Sequence, residues 1–187
     1  EFSQVYWGTT RSGVFVTLLS THLKPAEAAY ILGDSGSKVL VLSASLGETP
    51  RALAAERAQL IPGVEHIFHA GDEAIAGAQS LAEAMAAMPA TPVPDEISGF
   101  HMIYSSGTTG RPKGVVLPFK PGPIDEFNAL EGGSAELMKE FQPLVMFNAG
   151  PLYHGMPLSC MVVPQRLGGT NVTMRKFDAE GVLAAIE

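Results

Sequence analysis

The chain has 187 residues, is 46% hydrophobic and carries a formal net charge of −7 with a pI near 5.2. A chain of this size buries roughly 70% of its unfolded surface, enough for one core without staples. The acidic balance argues against sequence-independent nucleic-acid binding, which needs concentrated Lys and Arg. The single Cys160 excludes an internal disulfide framework and fits a reducing compartment. No stretch reaches the roughly 18 to 20 uninterrupted apolar residues of a membrane-spanning helix, and the opening lacks a charged-then-apolar signal design. A cytoplasmic protein with no transmembrane segment and no nucleic-acid partner is therefore expected.

Along the chain, residues 4–19 ("QVYWGTTRSGVFVTLL") predict a helix leading to an extended segment. In "KPAEAAYILGDSGSKVLVLS" (24–43), Pro25 suits a first helical turn, and Ala28, Ile31 and Leu32 share a face. The Gly33–Gly36 region supplies the stop, and Val39–Leu42 reads as an unbroken buried strand. "TPRALAAERAQLI" repeats the theme as one helix, with Pro62-Gly63 as the turn and "VEHIF" as the next strand. Ser80 and Glu83 have capping-box spacing before a short helix. "PATPVPD" places three prolines in residues 89–95 and reads as a stiff connector. "FHMIYSS" and "GVVLPF" follow as strands around a polar loop. Residues 120–133 read as loop, "SAELMKEF" as a short helix, "PLVMFNAG" and "GGTNVTM" as strands, and a last helix starts at 179. Alternating helices and apolar strands indicate an α/β layer fold with largely parallel sheets flanked by helices.

The loop in "IYSSGTTGRPKGVV" (103–116) carries the chemistry. Glycine frees the backbone to turn several N–H groups toward one point, and the hydroxyls of Ser105, Ser106, Thr108 and Thr109 add donors. Lys113 brings a compact positive charge to the same place, the complement of a polyphosphate. The common G-x-x-x-x-G-K-[ST] signature, counted from Gly107, would need glycine where Pro112 stands. On composition alone, a solvent-exposed Ser/Thr/Gly loop without a ligand remains an alternative.

The ordered string "YSSGTTGRPKGV" resembles the phosphate-loop motif of the adenylate-forming (AMP-binding) superfamily, which includes acyl-CoA synthetases, luciferases and peptide-synthetase adenylation domains. "THLKPAEAAYILGDSGSKVLVLS" and "PLYHGMPLSCMVVPQRLGGTNVTMRKFDAEGVLAAIE" are similar to segments flanking that loop in acyl-CoA synthetases. The resemblance implies an ATP-dependent acid–thiol ligase of the AMP-forming type. Such an enzyme converts a carboxylic acid, fatty by this reading, to an acyl-adenylate and pyrophosphate, then transfers the acyl group to coenzyme A. It implies that Ser105, Ser106, Gly107, Thr108, Thr109 and Gly110 wrap the phosphates of ATP, that Lys113 balances charge as pyrophosphate departs, and that Mg2+ accompanies the nucleotide. It also implies a catalytic role for His154 of "PLYHG", where carboxylate and phosphate meet. His22, His66, His69 and His101 have no comparable context and show no metal-ligand spacing.

After the loop, many members continue into a polar helix with a Ser/Thr-His-x-Asn start; "VVLPFKPGPIDEF" instead is similar to a bacterial branch of fatty and related acyl-CoA synthetases. The family's adenine segment, ribose-binding aspartate, hinge and carboxy-terminal lysine have no counterpart here. The expectation is a partial amino-terminal domain over 1–187, with helix-strand units in 1–88, a connector in 89–96, and the loop and acyl-pocket segment in 97–187. The carboxy-terminal domain is absent, turnover by this chain alone is not expected, and exposed sheet edges make a homo-oligomer one state the reading allows. The alternatives are a non-catalytic phosphate-binding or assembly module, or a peptide-synthetase-type adenylation domain. Met156, Leu158, Met161 and Val162 suit either an acyl pocket or a helix-packed core.

Overall fold

The computed structural model describes residues 1–105, 110–174 and 176–187, apart from the side chains of Ala129 and Leu130. Chain contacts divide it into two units, Glu1–Leu117 and Pro118–Glu187. In the first unit, α1 (Phe2–Thr10) leads into β1 (Val16–Leu18), as the sequence predicts. Helix α2 (Pro25–Asp34) starts at the proline, and the Lys24 N–H donates to Glu27 Oε2 at 2.8 Å, which satisfies a donor at the helix entrance. Ala28, Ile31 and Leu32 are all buried on its inner face. Burying side chains the size of Ile31 and Leu32 contributes about 1.5–3 kcal/mol each.

Next comes β2 (Val39–Ser43). It is not buried on both faces as its apolar run suggested: Leu40 and Leu42 join the core, while Val39 is 50% exposed. The reason is position. β2 is an outer strand of the parallel sheet β2-β3-β4, built with β3 (His66–Ala70) and β4 (Gln79–Ser80), and one of its faces packs on the core with Ala28, Leu32, Leu53 and Ile67. The single helix expected over 49–61 is broken into α3 (Glu48–Ala55) and α4 (Arg57–Leu60). Glu56 leaves helical geometry at φ −103°, ψ 26°, and Arg57 donates to the backbone oxygens of Val64 and Glu65 at 3.0 and 2.6 Å, tying the short α4 to the entrance of β3. Ser80 caps α5 (Leu81–Ala86), its Oγ accepting from the Glu83 N–H at 3.3 Å. Residues 89–96 form neither helix nor strand.

A second sheet in this unit has the order β1-β5-β6, where β5 spans His101–Ser105 and β6 spans Lys113–Val115. β1 and β5 are parallel, whereas β5 and β6 form an antiparallel hairpin.

The second unit contains α6 (Ala129–Lys139), β7 (Val145–Asn148), α7 (Gly155–Arg166), β8 (Thr170–Thr173) and α8 (Ala179–Ile186). β7 and β8 pair in parallel, with Val145 opposite Thr170 and Asn148 opposite Thr173. Helix α6 starts five residues earlier than the sequence suggested, taking in Gly132 and Gly133. Its signal is Asn128, whose Oδ1 accepts from the Glu131 N–H at 3.0 Å, a start the glycine pair obscured. The alternatives left open for Leu158, Met161 and Val162 resolve toward a core: all three lie on α7 and are at most 2% exposed, whereas Met156 is 75% exposed. The fold is thus α/β, with mostly parallel pairings flanked by helices.

Candidate active site

The hairpin places Ser105 and Lys113 directly opposite each other, the last residue of β5 paired with the first of β6. Both side chains are exposed, so the lysine's charge and the serine's hydroxyl stand together at the mouth of the loop. Gly110, on the returning arm, has φ +90°, a backbone conformation that favours glycine. Ser106, Gly107, Thr108 and Thr109 lie outside the described residues.

Both arms of the loop are fastened to α2. The Tyr104 hydroxyl donates to Asp34 Oδ2 at 2.6 Å. Burial, then the Asp34 hydrogen bond and charge, raise the phenol above its ordinary pKa, so Tyr104 stays protonated and a donor. On the other arm the Arg111 guanidinium lies 5.5 Å from the centre of the Tyr30 ring. Gly114 is opposite Tyr104, and a β-carbon there would come within 3.1 Å of Met102 Sδ and the Tyr104 ring. A side chain there would have to displace the Tyr104 ring or Met102 by a few tenths of an ångström.

Further back on β5, His101 is buried, shares a 3.0 Å hydrogen bond with the Tyr6 hydroxyl through Nδ1, and stacks on Phe100. Burial lowers its pKa to about 4, so its imidazole is neutral at neutral pH. His69 is also buried, while His22 and His66 are exposed.

In the second unit, His154 immediately precedes α7, with extended backbone (φ −99°, ψ 147°) and an exposed side chain. Its carbonyl accepts from the Leu158 N–H at 3.0 Å, which opens the helix and leaves the imidazole beside the helix's positive end. Tyr153 lies against it, ring centres 4.6 Å apart.

Asn148, which sequence reasoning missed, holds this turn. It is buried at the end of β7; Nδ2 donates to Pro157 O at 2.7 Å and Oδ1 accepts from the Gly150 N–H at 3.0 Å. A buried amide at a strand exit is a visible signal, but its partners follow only from the fold. Cys160 is half-buried, and burial raises its thiol pKa, which keeps it in the unreactive protonated form.

The AMP-binding enzyme family matches residues 1–187, the whole chain. The chain belongs to that family. Among curated relatives of this AMP-binding chain, the long-chain-fatty-acid–CoA ligase FadD13 of Mycobacterium tuberculosis is 28% identical over 189 aligned residues, covering 100% of this chain and 35% of the relative. The 4-hydroxybenzoate–CoA/benzoate–CoA ligase of Rhodopseudomonas palustris is 32% identical over 178 residues, covering 92% of this chain and 31% of that protein. Of solved structures, the inhibitor-bound amino-terminal domain of FACL13 from M. tuberculosis matches with a TM-score of 0.74 at 27% identity, covering 100% of this chain and 44% of that one. The AMP-binding chain thus spans about a third of the length of the curated relatives it matches. Among the described residues, no helix is long and apolar enough to cross a membrane.

Proposed function

We propose that this chain supplies the phosphate-binding and acid-side segments of an ATP-dependent acid–thiol ligase, and that turnover requires the further length its relatives have. In the first half-reaction a carboxylate oxygen attacks the α-phosphorus of ATP, the bond to the bridging oxygen breaks, and pyrophosphate leaves. In the second, the thiol of coenzyme A attacks the acyl carbon and AMP departs.

Carboxylate and triphosphate repel each other, so the first step needs positive charge and donors fixed in advance. Ser105 to Gly110 hold the β- and γ-phosphates in this reading, and Lys113 neutralises the leaving pyrophosphate. His154, a donor at the positive end of α7, steadies the oxygens where acid and phosphate meet. In this reading the Mg2+ accompanies the nucleotide substrate. Bound to ATP, it supplies further positive charge at the phosphates.

The observation that carries the proposal is the cross-strand pairing of Lys113 with Ser105 in a chain matched end to end by the AMP-binding family. The acid is a fatty acid in the first reading, supported by the alignment of the whole of this chain with 35% of FadD13. An aryl acid is the second reading, supported by relatives named for hydroxybenzoate, coumarate and ferulate.

The test is carboxylate-dependent exchange between labelled pyrophosphate and ATP, run with fatty and aryl acids on this chain and on its full-length gene product. Stimulation by one acid class in the full-length protein, lowered about a hundredfold or more by Lys113→Ala, is expected. Exchange indifferent to every acid, or to Lys113→Ala, overturns the reading, and exchange by this chain alone overturns the need for further length.

A further inference from the structure

The phosphate loop leaves β5 and returns into β6, and both arms carry a contact to the same helix. Tyr104, one residue before Ser105, donates to Asp34 at 2.6 Å, and Arg111, one residue after Gly110, lies 5.5 Å over Tyr30. Asp34 and Tyr30 are one turn apart near the end of α2, at the (i, i+4) spacing that sets two side chains on one helix face. Gly114 completes the arrangement, because its missing side chain leaves the Tyr104 ring free to reach across the hairpin to Asp34.

These contacts do little for the core. Asp34 is exposed, Tyr30 and Tyr104 are half-buried, and none of the three belongs to the buried cluster that holds α2 on its sheet. They do determine where the ends of the loop stand. Fixing the ends of a binding segment in advance lowers the ordering cost that binding would otherwise carry.

We propose that the end of α2 is a platform for the phosphate loop, with Asp34 and Tyr30 as positioning residues acting through Tyr104 and Arg111. This rests on the reading above that the loop binds polyphosphate. Asp34 accepts the phenol proton and sets the direction of the β5 exit. Tyr30 offers its ring face to Arg111 and holds the returning arm, leaving Lys113 opposite Ser105. Asp34 repels phosphate and therefore acts through Tyr104 rather than as a ligand.

The experiment measures binding of ATP and of inorganic tripolyphosphate to this chain by titration calorimetry, with melting temperature alongside. Tyr104→Phe and Asp34→Ala should each weaken both ligands about tenfold, the worth of one hydrogen bond to a charged group. Melting temperature should fall by no more than about 3–6 °C, the shift that the loss of one such hydrogen bond gives at this chain size. Asp34→Asn, which keeps an acceptor oxygen, should restore binding to within about twofold of the parent. Tyr30→Leu, which leaves the Arg111 charge intact, should weaken binding by a few-fold, roughly the worth of an exposed cation–ring contact.

If the parent chain binds neither ligand, or Lys113→Ala binds as well as the parent, the polyphosphate reading fails and the platform with it. If Lys113→Ala weakens binding while Tyr104→Phe and Asp34→Ala do not, the platform alone is overturned. It is equally overturned if Asp34→Asn fails to rescue and binding falls only in step with melting temperature, since the contacts are then structural.

Discussion

Asn171 donates from Nδ2 to the carbonyl of Cys160 at 2.9 Å, taking the place of the N–H that Pro164 lacks four residues further along α7. A proline inside a helix deprives the carbonyl one turn earlier of its donor. Here a side chain from β8 fills that vacancy and joins strand to helix.

Replacing Asn171 by Ala should therefore cost about 1–2 kcal/mol in urea unfolding, the penalty of an orphaned carbonyl. The lower end is favoured because Asn171 Oδ1 is itself buried with no partner among the described residues, and the substitution removes that group too. In a Pro164→Ala background the helix can supply its own N–H, and the cost of Asn171→Ala should fall by about half or more. An undiminished cost in that background would show that the two residues are not coupled.

Arg166 and Glu131 form a half-hidden ion pair at 2.6 Å, with side-chain exposures of 14% and 10%. Arg166 also donates to the backbone oxygens of Ile124 and Glu126, at 2.9 and 2.6 Å, and lies 4.2 Å over the Phe127 ring. Burial raises the Glu131 pKa against the lowering effect of Arg166, so desolvation outweighs the pairing. Arg166→Ala should cost about 3–5 kcal/mol, because it strands a carboxylate and frees the 124–127 segment. Glu131→Gln should cost less, and the double variant less than the sum. Strict additivity in chemical denaturation would contradict this.

His101 gives a pH dependence whose sign follows from its burial. Its pKa in the fold, about 4, lies below the ordinary 6.5, so the folded state prefers the neutral ring. The stability it contributes is complete above about pH 6.5 and is lost as pH falls toward the folded value, amounting to about 2–3 kcal/mol between about pH 7.5 and pH 4.5. His101→Gln should lose less stability over that interval by about the same amount. If parent and variant decline in parallel, His101 is not the titrating group.

The parts legible in the sequence are those written in local pattern. Pro25 and the Ala28, Ile31, Leu32 stripe located α2, and the apolar run before the Gly/Ser/Thr string located β5, whereas the strand expected over 114–119 is only Lys113–Val115, with 116–119 outside any strand. What escaped reading depends on distant partners. The buried look of Val39–Leu42 could not disclose that β2 packs on the core through one face, and the glycine pair in α6 hid a helix held from afar by Arg166. At the candidate site, Ser105 and Lys113 could be named from composition, but not their cross-strand pairing. Asp34 and Tyr30 carried no local mark of their part, and Asn148, visible as an amide at a strand exit, did not disclose its partners, since each acts through a neighbour that folding brings to it.

Asn148 separates the two sides of the proposed reaction. Its two hydrogen bonds fasten the Gly150–His154 turn to the start of α7 and involve no residue of the phosphate loop. Asn148→Ala should destabilise the fold by about 1–3 kcal/mol through the lost partners of Pro157 O and the Gly150 N–H. If His154 acts on the acid side, the substitution should lower acid-stimulated pyrophosphate exchange in the full-length gene product about tenfold or more. The affinity of this chain for ATP should be unchanged at temperatures where the variant is folded. Asn148→Asp retains the acceptor for Gly150 but loses the donor to Pro157, so it should fall between the two. Loss of ATP affinity together with exchange would remove the division of labour between Lys113 and His154 on which the proposed mechanism depends.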